Sequence, residues 1–318
     1  MRLAGLPGWL VAGAQLPVAP ATAAAVPTTG SSGTEVISLE GYGQFSGTVV
    51  NTTYTGYALP QPVDAWLGID YAAQPVGPEG RFRPIRDFPA SFDGVRAAAE
   101  YGKACVQAPS SAVPAETQDE ACLNFNVYRP QGASSVTSSS SSSNSDKKLL
   151  PVLVWIHGGS FNAGSWKSFD GAAFAAASAE PILVVTFHYR VNSLGFLPSA
   201  LFAEEGLLNL GVRDQHFFLK EFVQKHIAAF GGDPENITIG GRSAGGHSVG
   251  IHYFHNYGED EDGAGGQQPP YFARAIHQSG SVTARTFPNA TYPLYAEHFA
   301  TFMDHIGCPT DVDNAAAL

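Results

Sequence analysis

A serine with glycine two positions away on either side stands at Gly241-Arg242-Ser243-Ala244-Gly245, between the apolar segment 237–240 and a helix-prone segment 244–255. The pattern G-x-S-x-G at a strand-to-helix junction is that of a nucleophile elbow. So sharp a turn strains the serine backbone and crowds the positions two residues away, where only glycine fits. Oγ is then held in the open, and the Ala244 N–H and the positive end of the following helix face any oxyanion formed when Oγ attacks a carbonyl. A second element lies upstream. His157-Gly158-Gly159-Ser160 directly follows an apolar run, as an oxyanion loop of the HGGG type does. The bland alternative is two unrelated glycine-rich turns; it weakens because both would sit at strand ends on one edge of one sheet. The other candidates for chemistry carry less. On a helix His252 and His255 share a face but His247 does not, and with His277 they read as core or solvated residues rather than metal ligands. Asp304 and His305 are adjacent in a helix-like segment and read as its solvated face.

The elements that must position this serine are legible around it. The runs 151–157 (PVLVWIH) and 181–189 (PILVVTFHY) are almost continuously apolar, which suits parallel strands covered on both faces. The segment DQHFFLKEFVQKHIAAFGG places Leu219, Phe222, Val223, Ile227 and Phe230 at helical spacing and ends in Gly231 and Gly232, an amphipathic helix with a glycine stop. NITIG then gives a short strand, 244–255 a helix, 271–280 another strand and 292–307 a helix. Alternating strands and helices predict an α/β protein with a mostly parallel, doubly wound sheet. Nearer the N-terminus, GYGQFSGTVV and AWLGIDYA predict small antiparallel strands, a modest extension at the edge of the domain. Residues 1–38 read as a leader and flexible tail, and the run 134–148 as a Ser-rich loop insertion that buries no apolar surface.

Composition excludes several classes. With 17 Lys and Arg against 28 Asp and Glu, the net charge is −11, so no nucleic acid partner is expected. No apolar stretch approaches the roughly 20 residues of a membrane span. Arg2, a short apolar stretch and a small-x-small site ending at Ala14 form a secretory signal interrupted by Pro7 and Gly8. The sequons at Asn51, Asn236 and Asn289 fit a secretory route as glycosylation sites. Three cysteines, Cys105, Cys122 and Cys308, leave one over if two are paired.

From about Gly41 to Cys308 the sequence resembles the type-B carboxylesterases, the family that includes cholinesterases and certain fungal lipases. The likeness rests on WLGIDYAAQPVGPEGRF, EACLNFNVYRP, VWIHGGSF, VVTFHYRVNSLGFL, LNLGVRDQHFFLKEFVQKHIAAFGGDPENITIGGRSAGG and ARAIHQSGS, in that order. The resemblance implies the α/β-hydrolase fold over 39–318, with Ser243 as nucleophile and the N–H groups of Gly159, Ser160 and Ala244 as oxyanion donors. Gly241 and Gly245 are the elbow glycines. It also implies a Cys105–Cys122 disulfide, with Cys308 as the first member of a later pair, and hydrolysis that needs no cofactor. A non-catalytic adhesion or interaction protein on the same fold is the competing reading; the intact serine and glycines favour the enzyme.

Three departures shape the expectation. The family order is serine, acid, histidine, and neither partner is reached before Leu318; the sequence therefore predicts a domain incomplete at its C-terminus, inactive by itself, with an uncovered strand edge. Arg242 stands where the family carries an acid. A cation about 6 Å from a catalytic imidazole would disfavour imidazolium by roughly 3 kcal/mol at an effective dielectric near 20, and it would disfavour cationic esters; alternatively it is turned away into a salt bridge. Finally, the sixteen residues between Cys105 and Cys122 are polar and carry two prolines. They are too short for an amphipathic lid, so small neutral esters are favoured over emulsified fats.

Overall fold

The computed structural model describes residues 34–133, 149–255, 271–281, 283, 289 and 291–309, all within one compact unit spanning 33–318. Of the expected leader and tail, 1–38, residues 1–33 lie outside the described residues, as does the Ser-rich insertion, 134–148; the last three residues of that span, 36–38, belong to the first strand. In chain order the strands are β1 (Val36–Leu39), β2 (Gly43–Ser46), β3 (Thr48–Thr52), β4 (Ala58–Asp70), β5 (Val95–Ala97), β6 (Ala104–Cys105), β7 (Gln118–Asp119), β8 (Asn124–Pro130), β9 (Leu150–Ile156), β10 (Leu183–Phe187), β11 (Gly232–Arg242) and β12 (Arg274–Gln278).

Seven of them form the main sheet, in the order β12-β11-β9-β10-β8-β4-β3. The β10, β9, β11 and β12 pairings are parallel, and β8, β4 and β3 extend the sheet antiparallel. The strand after β9 in sequence lies on one side of it and the next, β11, on the other. This reversal opens a crevice beyond the carboxyl ends of β9 and β11, the place where open α/β sheets put their sites. Two small sheets, β1-β2-β5 and β6-β7, flank the main one.

The apolar runs at β9 and β10 are continuous because both faces are covered. On one face the helix Gly171–Ala177 packs Ala172, Ala175 and Ala176 against Val63, Ala65, Tyr128 and Val184. On the other, Phe218, Phe222, Val223, Ile227 and Phe230 meet Phe125, Val127, Val154, Val185 and Phe187. Val184 and Val185 face opposite ways, as the two-residue period of a strand requires. The helical segment from Leu210 to Phe230 buries all five expected residues and stops at Gly231, with φ of 90°. It starts a turn earlier than the apolar pattern suggests and contains a π-helical stretch, Phe218–Val223. Widening the helix there turns Phe218, Leu219, Phe222 and Val223 all inward.

The N-terminal extension is not made of short strands only. β4 runs for 13 residues despite Pro60 and Pro62. Those prolines lie in its exposed first half, where a missing N–H costs least. Further along, Gly68 at φ 67° accommodates the register shift between Trp66 and Ile69. At the opposite edge, every residue of β12 is exposed or half-buried, and Ile276 is 42% exposed.

Candidate active site

Ser243 follows β11 directly and precedes the helix Ala244–Phe254. Its φ of 55° and ψ of −121° lie in a region that costs a non-glycine residue of order 1–3 kcal/mol. Two backbone bonds hold it there: the Ser243 N–H donates to Gln278 O at 2.8 Å, and His247 N–H donates to Ser243 O at 2.9 Å. A β-carbon on Gly241 would overlap the Gly245 backbone, and one on Gly245 would overlap the carbonyl ends of Ile156 and His157. The glycines therefore let the helix seat directly on the end of β9. That seating brings the neighbouring loop to the serine: a β-carbon on Gly158 would lie 3.1 Å from Ser243 Cβ.

The loop 157–164 leaves β9 through His157, which is buried and stacked on the Tyr189 ring at 4.2 Å. Burial lowers the His157 pKa to about 4, so the ring is neutral near pH 7, and Nδ1 lies 2.9 Å from Gly158 O. The Tyr189 hydroxyl donates to His157 O at 2.8 Å. Beyond it, Gly159, Ser160 and Phe161 take successive positive φ values of 119°, 57° and 60°. The amides of Asn162 and Ala163 both donate to Gly159 O, at 2.9 and 3.0 Å. Successive N–H groups in such a turn converge into an anion-binding concavity. Among the described residues, none accepts a hydrogen bond from the N–H of Gly159, Ser160 or Ala244, and none bonds Ser243 Oγ. A cleft of about 970 Å³ opens from Ser160 and Phe161 along Phe196, Val212 and Phe217; Ser243 is not in its wall.

The remaining candidates fall elsewhere. Arg242 is exposed, and among the described residues it makes no ion pair. His252 is buried with Nε2 2.9 Å from Gln215 Oε1, its pKa lowered to about 3 chiefly by burial. The Nδ1 atoms of His247 and His277 lie 2.8 and 3.1 Å from the carbonyls of Ser281 and Gly246; His255 is exposed. No cluster of metal-ligating side chains occurs among the described residues. Asp304 and His305 are exposed on the helix Pro293–Ile306, with His305 Nδ1 2.8 Å from Thr301 O. Cys105 and Cys122 form a disulfide, and Cys308 is a free thiol. Of the sequons, Asn51 is exposed on β3, Asn236 Oδ1 accepts from Arg274, and Asn289 Oδ1 accepts from the Thr291 N–H and hydroxyl.

Sequence reasoning gave no role to Arg190 and Asp214. They form a buried fork, with Arg190 Nε and its backbone N–H donating to Asp214 Oδ2 at 2.8 and 3.0 Å and Nη2 to Oδ1 at 2.5 Å. This pair fixes the turn after β10 to the helix beginning at Leu210. An arginine just after an apolar strand, and an acid just inside the next amphipathic helix, were the available signal.

The carboxylesterase family model matches residues 33–317. The chain is 59% identical over 283 residues to secreted lipase 4 of Gibberella zeae, covering 89% of this chain and 47% of that protein. It is 40% identical over 210 residues to the para-nitrobenzyl esterase of Bacillus subtilis, covering 64% and 38%. A solved PNB esterase superposes with a TM-score of 0.64 at 34% identity, over 87% of this chain and 49% of that one. The chain thus spans about half the length of the relatives it matches.

Proposed function

The chain belongs to the carboxylesterase family, and from that premise we propose that it supplies the nucleophile and the oxyanion hole of a carboxylic ester hydrolase. Ser243 Oγ attacks the ester carbonyl carbon. The carbonyl oxygen becomes an oxyanion and accepts hydrogen bonds from the N–H groups of Gly159, Ser160 and Ala244. Collapse breaks the bond to the alcohol oxygen, which leaves with a proton, and the acyl group stays on Ser243. Water then attacks the acyl-enzyme, releasing the acid and returning the serine hydroxyl. The chemistry needs no cofactor.

The observation that carries this reading is the strained Ser243, packed against the backbone of Gly158 at the shared ends of β9 and β11. No described residue bonds Ser243 Oγ, so the general base is not supplied by this arrangement, and the chain alone is expected not to turn over at an enzyme's rate. Small neutral esters are the proposed substrates. The loop between Cys105 and Cys122 is pinned rather than free to act as a lid, by Lys167 Nζ to Ala112 O at 2.9 Å and Lys103 Nζ to Glu116 O at 2.6 Å. Exposed Arg242, next to the nucleophile, disfavours cationic esters. Likeness to a secreted lipase, with sequons at Asn51, Asn236 and Asn289, supports secretion and glycosylation at those asparagines.

The test is fluorophosphonate labelling of the intact protein that carries this chain, with Ser243→Ala as control, alongside hydrolysis of p-nitrophenyl acetate. Labelling confined to Ser243 and hydrolysis abolished by Ser243→Ala is the expected result. An intact protein that neither labels nor hydrolyses neutral esters refutes the reading.

A further inference from the structure

The loop 157–164 carries two of the three proposed oxyanion donors on backbone with positive φ at three successive residues. Such a loop has no regular ladder to fix it, and its two internal bonds to Gly159 O do not say where the turn as a whole sits. Its external supports decide that: Tyr189 holds the His157 end, and those on the remainder converge on one segment, Cys105 to Gln107.

The Gln107 side chain engages both polar groups of Gly164. Oε1 accepts from the Gly164 N–H at 2.9 Å, and Nε2 donates to Gly164 O at 2.9 Å. Gln107 is 6% exposed and is itself held. Nε2 also donates to Cys105 O at 2.9 Å, and its backbone N–H donates to Gln118 Oε1 at 2.8 Å. Gln118 Nε2 in turn reaches Val113 O at 3.0 Å, and the disulfide to Cys122 anchors Cys105. A second tie reaches the same segment: Asn192 N–H donates to Phe161 O at 2.7 Å, while its Nδ2 donates to Val106 O at 2.6 Å.

Gly164 is well placed to transmit this support. It has φ 133°, and a β-carbon there would overlap His157 Nδ1 and Gly158 O. Gly164 therefore lies against the peptide unit from which the Gly159 N–H projects, and Gly158 lies against Ser243. The contacts run from Gln107 through Gly164 to His157 and Gly158, and so to the oxyanion donors and the nucleophile.

We propose that Gln107 is a positioning residue for ester hydrolysis, holding the loop 157–164 so that the Gly159 and Ser160 N–H groups meet the oxyanion. The proposal rests on the ester-hydrolase reading above. Ordinary satisfaction of buried polar groups would make Gln107 matter for stability alone. Positioning makes a different demand, because a misplacement near 1 Å in a reacting constellation costs about a hundredfold and loss of one oxyanion donor costs 10²–10³. The cost falls on the transition state and not on substrate binding.

The experiment uses the intact protein and two variants. Gln107→Met keeps the length and removes every side-chain hydrogen bond; Gln107→Glu keeps an acceptor for the Gly164 N–H and loses the donors. For p-nitrophenyl acetate, kcat is expected to fall at least tenfold in Gln107→Met, and less in Gln107→Glu, with KM within about threefold. Affinity for a trifluoromethyl ketone, which forms a tetrahedral adduct, should fall by the same factor as kcat/KM. Affinity for the unfluorinated methyl ketone should stay unchanged. If Gln107→Met does not fold, Gln107→Glu carries the test by the same split. A folded variant with wild-type kcat, a loss confined to KM, or failure of both variants to fold overturns the proposal. A wild type that neither hydrolyses the ester nor binds the trifluoromethyl ketone defeats the underlying function instead, so the two failures are told apart.

Discussion

The two helix glycines after the nucleophile offer a graded test of the elbow. At Gly245 an added methyl would overlap Ile156 O and lie 2.8 Å from His157 O. Ordinary C···O contacts start near 3.3 Å, and both oxygens belong to backbone at the end of β9, so neither can rotate away. The helix Ala244–Phe254 would have to retreat by roughly 1–1.5 Å, which puts the cost in the upper half of the overpacking range, about 2–3 kcal/mol. At Gly246 the nearest atoms are Gln278 O at 3.0 Å and Gly241 O at 3.2 Å, and a few tenths of an ångström suffice. Against both costs stands the gain of about 1 kcal/mol when alanine replaces glycine inside a helix. Gly246→Ala should therefore be nearly neutral, and Gly245→Ala should lose about 1–2 kcal/mol net. The kinetic consequence is larger. Retreat of the helix moves Ser243 and the Ala244 N–H away from the Gly159 and Ser160 donors, and a displacement near 1 Å costs about a hundredfold. Urea midpoints and kcat/KM on p-nitrophenyl acetate in the intact protein measure both effects. A Gly245→Ala enzyme with kcat/KM within threefold of wild type would refute the argument that this glycine is required by the closeness of helix and strand.

Asp214→Ala leaves the Arg190 guanidinium, 3% exposed, without its fork partner and should lower the unfolding free energy by about 3–5 kcal/mol; a urea midpoint giving less than about 1 kcal/mol sinks that expectation. Stability should also fall between about pH 6.5 and pH 4, because burial lowers the pKa values of His157, His188 and His252 to about 4, 3 and 3. Over that window the unfolded histidines take up protons that the folded ones do not, so stability rises with pH. Asp70, raised to about 6 by burial, acts with the opposite sign between pH 6 and 4 and reduces the slope without reversing it. A urea midpoint at pH 5 equal to that at pH 7.5 would contradict this sign.

What the sequence made legible followed from burial on both faces and from glycine punctuation. β9 and β10 fall within one to two residues of the apolar runs, because an interior parallel strand leaves no polar register to confuse the pattern. The helix Ala244–Phe254 and the stop at Gly231 were equally plain. β4 was not: AWLGIDYA read as a short strand by itself, while the pairing of β4 with β3 and β8 carries the strand back through Pro60 and Pro62. At the site, the glycines at 158, 159, 241 and 245 were legible because close approach or positive φ requires them there, and they framed Ser243 as the candidate. Gln107 and Asn192 were invisible as supports, and the Arg190–Asp214 pair left only an arginine after an apolar strand and an acid inside the following helix. Their partners are backbone atoms or side chains 24 to 86 residues away, and a glutamine or asparagine bonding a distant carbonyl leaves no spacing to read.

The described residues divide the proposed reaction into a part they hold firmly and a part they do not. The proposed charge stabilisation has its supports in place: Ala244 sits at the positive end of its helix, and the loop 157–164 is tied to Tyr189, Asn192 and Gln107. For the proposed proton transfer, no described residue bonds Ser243 Oγ. An oxyanion hole and binding alone retain about 10³–10⁴ of rate enhancement over water when a triad member is missing, and the serine then contributes little, because the triad acts as a unit. The chain by itself should thus show a faint esterase activity that is insensitive to Ser243→Ala yet lowered by Gln107→Met. In the intact protein Ser243→Ala should be the more damaging of the two. Measuring p-nitrophenyl acetate hydrolysis for both variants in both contexts checks that inversion. A chain whose activity alone is abolished by Ser243→Ala would show that a base already acts on the serine, and the division would be wrong.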